Sequence, residues 1–169
     1  MVKDNHTFFI ALKSLHLFYQ TKLHLRMSKE KPTIIFWIIS IIALLWNAMG
    51  VNAYLQQAYN TTSFRDMYPD ETVLEMVLNT PAWVMAAFAT AVFGGVLGSI
   101  FLLLRKKIAL PIFVVSLIGI VAQMFYTVFM SKASEIYGPG FIIMPMMVLS
   151  FGIFLVWYSQ KAINKNWLV

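Results

Sequence analysis

Four apolar runs, at residues 33–58, 81–104, 108–130 and 141–158, set the terms for what this 169-residue chain can become. Each is close to the roughly 20 residues that a helix needs to cross the hydrocarbon core of a bilayer. None keeps the polar face that a helix at the surface of a soluble bundle turns toward water, so the core of a soluble protein is excluded. Backbone groups in hydrocarbon must be satisfied within their own segment, which makes these runs helices. The expected fold is therefore all-α, a polytopic membrane protein built as a four-transmembrane-helix bundle. Composition agrees: the chain is 60% hydrophobic and 12% charged, against about a quarter charged in an ordinary soluble domain.

Local signals mark the ends of the runs. Pro32 precedes the first, Thr80 and Pro81 fit the N-cap and first position of the second, and "YGPG" at 137–140 is a turn before the fourth. The loop at 60–79 is the one sizeable extramembrane piece after Met27. Its "PDETVLEMVL" stretch places acids in a first turn and Val73, Leu74, Val77 and Leu78 on one side. That pattern predicts a short amphipathic helix lying on the outer surface. Asn60-Thr61-Thr62 in the same loop is a glycosylation sequon.

Charge gives the orientation. Of the 13 basic residues only Arg65 and Lys132 lie on the side that also holds Asp66, Asp70, Glu71, Glu75 and Glu135. The triplet Arg105-Lys106-Lys107, with Lys29, Lys31, Lys161 and Lys165, lies on the opposite side. Basic residues in short loops stay cytoplasmic, so both termini are expected in the cytoplasm. This asymmetry assigns the net charge of +6 to topology, and nucleic acid is not an expected partner. Residues 1–26 differ in character from the rest, with an apolar run, "TFFIAL", too short to span. Because "MSKEKPTIIFW" reads as an ordinary start before a first span, 27–169 is taken as the four-helix domain. Met27 is taken as the true start, and 1–26 as an N-terminal extension. A basic amphipathic arm on the inner leaflet is the rival reading of those residues.

The stretch "LLWNAMGVNAYLQQAY" at 44–59 carries amides into the first span. At about 1.5 Å per residue, a hydrocarbon segment beginning near Ile34 ends near Ala53. Gln56 and Gln57 then meet water and only Asn47 is deep. Gln123 on the third span and Thr90 on the second fall at the same depth, with Pro145 of the fourth, whose missing N–H frees a carbonyl. Asn47 is expected to bond Gln123, Thr90 or that carbonyl across the bundle. The layer has two readings. It is a binding site for a small neutral solute, with Tyr54, Tyr126 and Trp46 offering aromatic faces. Alternatively it is interhelical glue, at about 0.6–2 kcal/mol per bond.

The second span repeats small residues, Ala87, Ala91, Gly95 and Ser99, and Gly94 to Gly98 forms a GxxxG. Close helix packing follows, either within the chain or between two copies in a homo-oligomer. No Asp, Glu, His, Lys or Cys lies inside any span, so neither an intramembrane catalytic pair nor a metal site is expected, and no cofactor is implied.

The stretches "FWIISIIALLWNAMGVNAYL", "TPAWVMAAFATAVFGGVLGSIFLLLRKK", "QMFYTVFMSKASEIYGPG" and "IFLVWYSQKA" resemble a group of small four-span bacterial inner-membrane proteins that often carry the label "sugar transporter". The resemblance covers nearly all of the chain after Met27. It implies the bacterial inner membrane and a small-solute transport role, and it supplies no ligand residues. A non-transporting accessory protein is the alternative.

Overall fold

The computed structural model describes residues 12–19, 31–131 and 138–169. The chain divides into two compact units, Met1–Lys31 and Pro32–Val169. Within the first, residues 12–19 form a helix, α1; the rest of the segment before Met27 and the loop at 132–137 lie outside the described residues. The second unit is all-helical among its described residues, in the order α2 (Ile34–Ala58), α3 (Thr62–Asp66), α4 (Glu71–Leu78), α5 (Ala82–Leu103), α6 (Ala109–Phe125) and α7 (Ile143–Asn164). A π-helical turn, Tyr126–Met130, continues α6, and a 3-10 turn, Gly138–Ile142, leads into α7.

Four of these segments are long and apolar enough to cross a membrane, namely α2, α5, α6 with its π turn, and α7 with its 3-10 lead. This is the make-up of a multi-pass membrane protein. The first three end within a residue or two of the expected bounds. The fourth departs from them, because α7 runs on to Asn164 rather than ending near residue 158. Its last turns carry Lys161, whose ammonium sits 4.7 Å from the centre of the Trp157 ring, so the helix continues past the apolar run with its charge snorkelling.

Three helices stop by the same device. Asn60, Arg105 and Asn166 take the left-handed conformation, with φ of 46, 58 and 55°. Around each, two N–H groups reach back to the last turn: Asn60 to Gln57 and Thr61 to Gln56, Arg105 to Leu102 and Lys106 to Phe101, Asn166 to Ile163 and Trp167 to Ala162. These are Schellman caps, which satisfy carbonyls that a helix end would otherwise leave open.

In the bundle, α5 packs against α2 on one side and α6 on the other, and α6 also packs against α7. The fully buried core lies at the end nearest Arg105, here called the basic end. Phe36, Leu102, Phe113, Leu155, Tyr158, Trp167 and Leu168 meet there. The segment after α7 is locked into it: the Arg105 Nε donates to the Trp167 carbonyl at 2.7 Å, and Val169 N–H to the Arg105 carbonyl at 2.6 Å.

The opposite end carries α3 and α4, the roofed end. Thr61 caps α3 by accepting from Phe64 N–H, and Asp70 caps α4 by accepting from Thr72 N–H at 2.8 Å. The amphipathic helix is present where the pattern predicted it, with its face slightly rotated. Val73 is buried and Leu74, Met76 and Val77 are half-buried, whereas Leu78 is turned outward.

Candidate functional site

The second span's small residues serve two interfaces within the chain. A Cβ on Gly95 would collide with the Asn47 side chain of α2, and one on Gly98 would come 2.7 Å from the Phe113 ring of α6. Gly94 lies over Ser116 of α6, whose hydroxyl donates to the Ala91 carbonyl at 2.6 Å, a bond that crosses between two spans. Gly119 of α6 answers in kind, since a Cβ there would stand 2.7 Å from the Ala87 carbonyl oxygen. Ala87 and Ala91 thus face α6, Gly95 faces α2, and Ser99 is buried with its hydroxyl on the Gly95 carbonyl at 2.8 Å.

The polar layer is arranged differently from the expectation. Asn47 does not reach across the bundle: its Nδ2 donates to the Ala43 carbonyl one turn back on α2, at 2.8 Å. The amide lies against Gly95, where only a glycine leaves room for it. Thr90 does not join the layer at all. It is exposed on the bundle surface, and its hydroxyl donates to the Ala86 carbonyl of its own helix at 2.8 Å. Pro145 frees no mid-helix carbonyl, because α7 starts at Ile143 and a proline in a first turn costs no intrahelical bond. A hydroxyl or amide that folds back one turn satisfies itself without help from a neighbouring helix.

Asn47 and Gln123 do come together in one place. A cavity of about 400 Å³ lies between the four spans on the roofed side of the middle, lined by both amides together with Trp46, Phe88, Pro145 and Thr127 among others. Three methionines, Met49, Met124 and Met144, complete much of its wall. The polar side chains are few and mostly used. Thr127 donates to the Gln123 carbonyl at 3.0 Å and Asn47 to Ala43. The Gln123 side-chain amide has no hydrogen-bond partner among the described residues and faces the cavity. Gln123 sits just before the π turn, where Ser131 N–H reaches the Tyr126 carbonyl and the Ser131 hydroxyl the Thr127 carbonyl at 2.6 Å. Single π turns recur at functional sites because they re-aim side chains out of α-helical register.

A second cavity, of about 180 Å³, lies under α4. Phe88, Gln123 and Thr127 line both, so these three stand at the junction. Tyr126 belongs to the second cavity and meets Trp83 edge-on at 5.7 Å. Tyr54 lines neither; it stands edge-on to Phe88 at 5.5 Å and Phe93 at 5.7 Å, behind the wall. The roof over the second cavity is pinned by Gln57, whose Nε2 donates to the Val77 carbonyl of α4 at 3.1 Å. The methionines and Phe88 were missed in the sequence because nothing distinguishes a cavity-lining apolar residue from a lipid-facing one. Thr127, four residues after Gln123 on one helix stripe, was within reach of sequence reasoning.

Comparison of the chain with protein-family models, with curated proteins and with solved structures finds no match. Fold and site alone therefore define its class, a four-span helical membrane protein with a cavity between its spans.

Proposed function

We propose that the chain is a small-solute-binding membrane protein of the transporter type, oriented with its basic end in the cytoplasm of a bacterial inner membrane, and that the cavity beside Gln123 is its solute site. The observation that carries this reading is the Gln123 amide, without a hydrogen-bond partner among the described residues, in a cavity of about 400 Å³, a volume within the usual range for ligand sites. The lining holds no ionisable side chain, which favours a neutral solute. Lysines and arginines clustered at Arg105–Lys107 support the orientation. The second reading, a non-transporting accessory protein, draws on Asn47: one of its donors bonds its own helix and its side chain lies against Gly95, where α2 packs onto α5.

The test is melting temperature against a panel of neutral solutes, in wild type and in Gln123→Leu. A ligand that binds only the folded state raises the melting temperature by mass action, by about 2.7 kcal/mol of stability at a hundred times its Kd. Stabilisation of the wild type alone supports the site. A flat response across the panel leaves the accessory reading standing.

A further inference from the structure

We propose that the molecule held in this cavity is largely apolar with a single hydroxyl or carbonyl, and that it enters sideways from the bilayer between α2 and α7. The proposal rests on the reading of the cavity as a solute site and narrows it to one class of ligand.

Size alone admits a sugar, since about 400 Å³ holds on the order of a dozen heavy atoms at roughly 30 Å³ each. The chemistry of the wall does not. A monosaccharide presents hydroxyls on every side, and each one buried without a partner weakens binding. Against them the wall offers little: the Gln123 amide, which has no partner among the described residues, and what Asn47 and Thr127 keep after one Asn47 N–H and the Thr127 proton are taken within their own helices. Met49, Met124, Met144, Phe88 and Trp46 fit an apolar body, and methionine's flexible thioether adapts to irregular shapes. So few polar atoms suit a ligand with one polar group far better than one with hydroxyls all round.

The route follows from how the helices meet. Every other neighbouring pair of spans packs closely, but α2 and α7 meet mainly through rings. Phe36 stacks on Tyr158 at 6.3 Å at the basic end, and Trp46 meets Phe151 at 5.3 Å near the middle. Beyond Trp46, toward the roofed end, no ring pair bridges the seam among the described residues. There Met49 and Met144, each 59% exposed, and the exposed Ala53 edge the cavity. On α2 this stretch, Met49 to Ala53, falls within the hydrocarbon length counted from Ile34. The route from the roofed end is covered by α4, pinned through Gln57.

The test uses the full chain, labelled with ¹³C-methyl methionine, in phospholipid nanodiscs titrated with geraniol or with glucose. The expected result is a saturable shift of the Met49, Met124 and Met144 methyl resonances with geraniol only. Met67 in the loop and Met130, exposed at the end of the π turn, stay still and report non-specific partition. Gln123→Leu should weaken geraniol about fivefold, and Ala53→Trp, at an exposed position, should slow its entry. A response to glucose but not geraniol overturns the apolar class and leaves the solute site standing. No response to either overturns both. Equal affinity in Gln123→Leu overturns the single polar contact, and an unchanged on-rate in Ala53→Trp overturns the sideways route.

Discussion

The two halves of this bundle are built from the same four spans and behave oppositely. Toward the basic end, Phe36, Tyr158, Trp167 and Leu168 interlock, Arg105 clips the segment after α7, and the α2–α7 seam is shut by stacked rings. Toward the roofed end no ring pair joins the same two helices among the described residues, and a cavity of about 400 Å³ lies between the four spans. The difference lies in what brings helices together in lipid. There is little hydrophobic force to do so, and shape complementarity and small residues decide which faces meet. α5 has glycines for both its neighbours, whereas α2 and α7 meet through bulky rings toward the basic end, and toward the other end the exposed Met49 and Met144 edge the cavity. A hollow half propped on a packed half gives a ligand room without loosening the whole fold.

The sharpest way to break this contrast is to remove volume from each half in turn. Phe36→Ala in the packed half should cost about 3 kcal/mol, the usual range for truncating a buried phenylalanine. Met124→Ala on the cavity wall should cost less than about 1 kcal/mol, because its side chain already borders open space. Reversible unfolding in mild detergent or in bicelles measures both. Equal costs would mean that the cavity collapses and that the halves do not differ.

Gly95→Ala comes next, at about 2 kcal/mol, because the added methyl strikes the Asn47 amide. The same change in an Asn47→Ala background should be nearly free, giving a coupling of at least about 1 kcal/mol in a double-mutant cycle. Simple additivity would show that Asn47 does not rest on Gly95. A third cut tests the clip. Arg105→Ala removes a charge-assisted bond to the Trp167 carbonyl and should cost about 1.5 kcal/mol. Arg105→Gly should cost less, since it loses the same bond but relieves a left-handed backbone worth about 1 kcal/mol.

How much of this was legible beforehand follows the physics of each feature. The spans and the amphipathic helix between the first two are written in hydropathy and local pattern, and their bounds agree to within a few residues, except where α7 continues past its apolar run. That Asn47 and Gln123 would share one depth followed from counting residues along each span. Which way each polar group would bond did not follow. Thr90 faces outward and Asn47 bonds its own helix because rotation about a helix axis is set by packing. In a helix that is apolar all round, the sequence carries almost no rotational signal. The glycine stripe was the exception, since small residues declare the faces that approach closely. The π turn after Gln123 had no clear signature: Thr127 and Ser131 bond back to carbonyls there, as such residues do in ordinary helices.

The smallest expected effect tests whether the roof is a seated element or a loose one. Tyr68 lies between α3 and α4 with its ring 5.1 Å from that of the buried Phe64. Burial raises its phenol above the ordinary value near 10. For a group whose folded pKa is raised, the stabilisation is fully present below the unfolded value and drains away as pH climbs toward the folded one. Stability should therefore be insensitive to Tyr68 below about pH 10 and should decline above it. Tyr68→Phe should remove that part of the alkaline decline and leave the neutral-pH melting temperature nearly unchanged. The difference in phenolate absorbance between wild type and Tyr68→Phe gives the midpoint directly. A midpoint at or below about 10 would mean that water reaches the ring and that α3 and α4 lift readily. The roofed end would then offer the second cavity a route to water, and the bilayer seam between α2 and α7 would lose its standing as the favoured entrance.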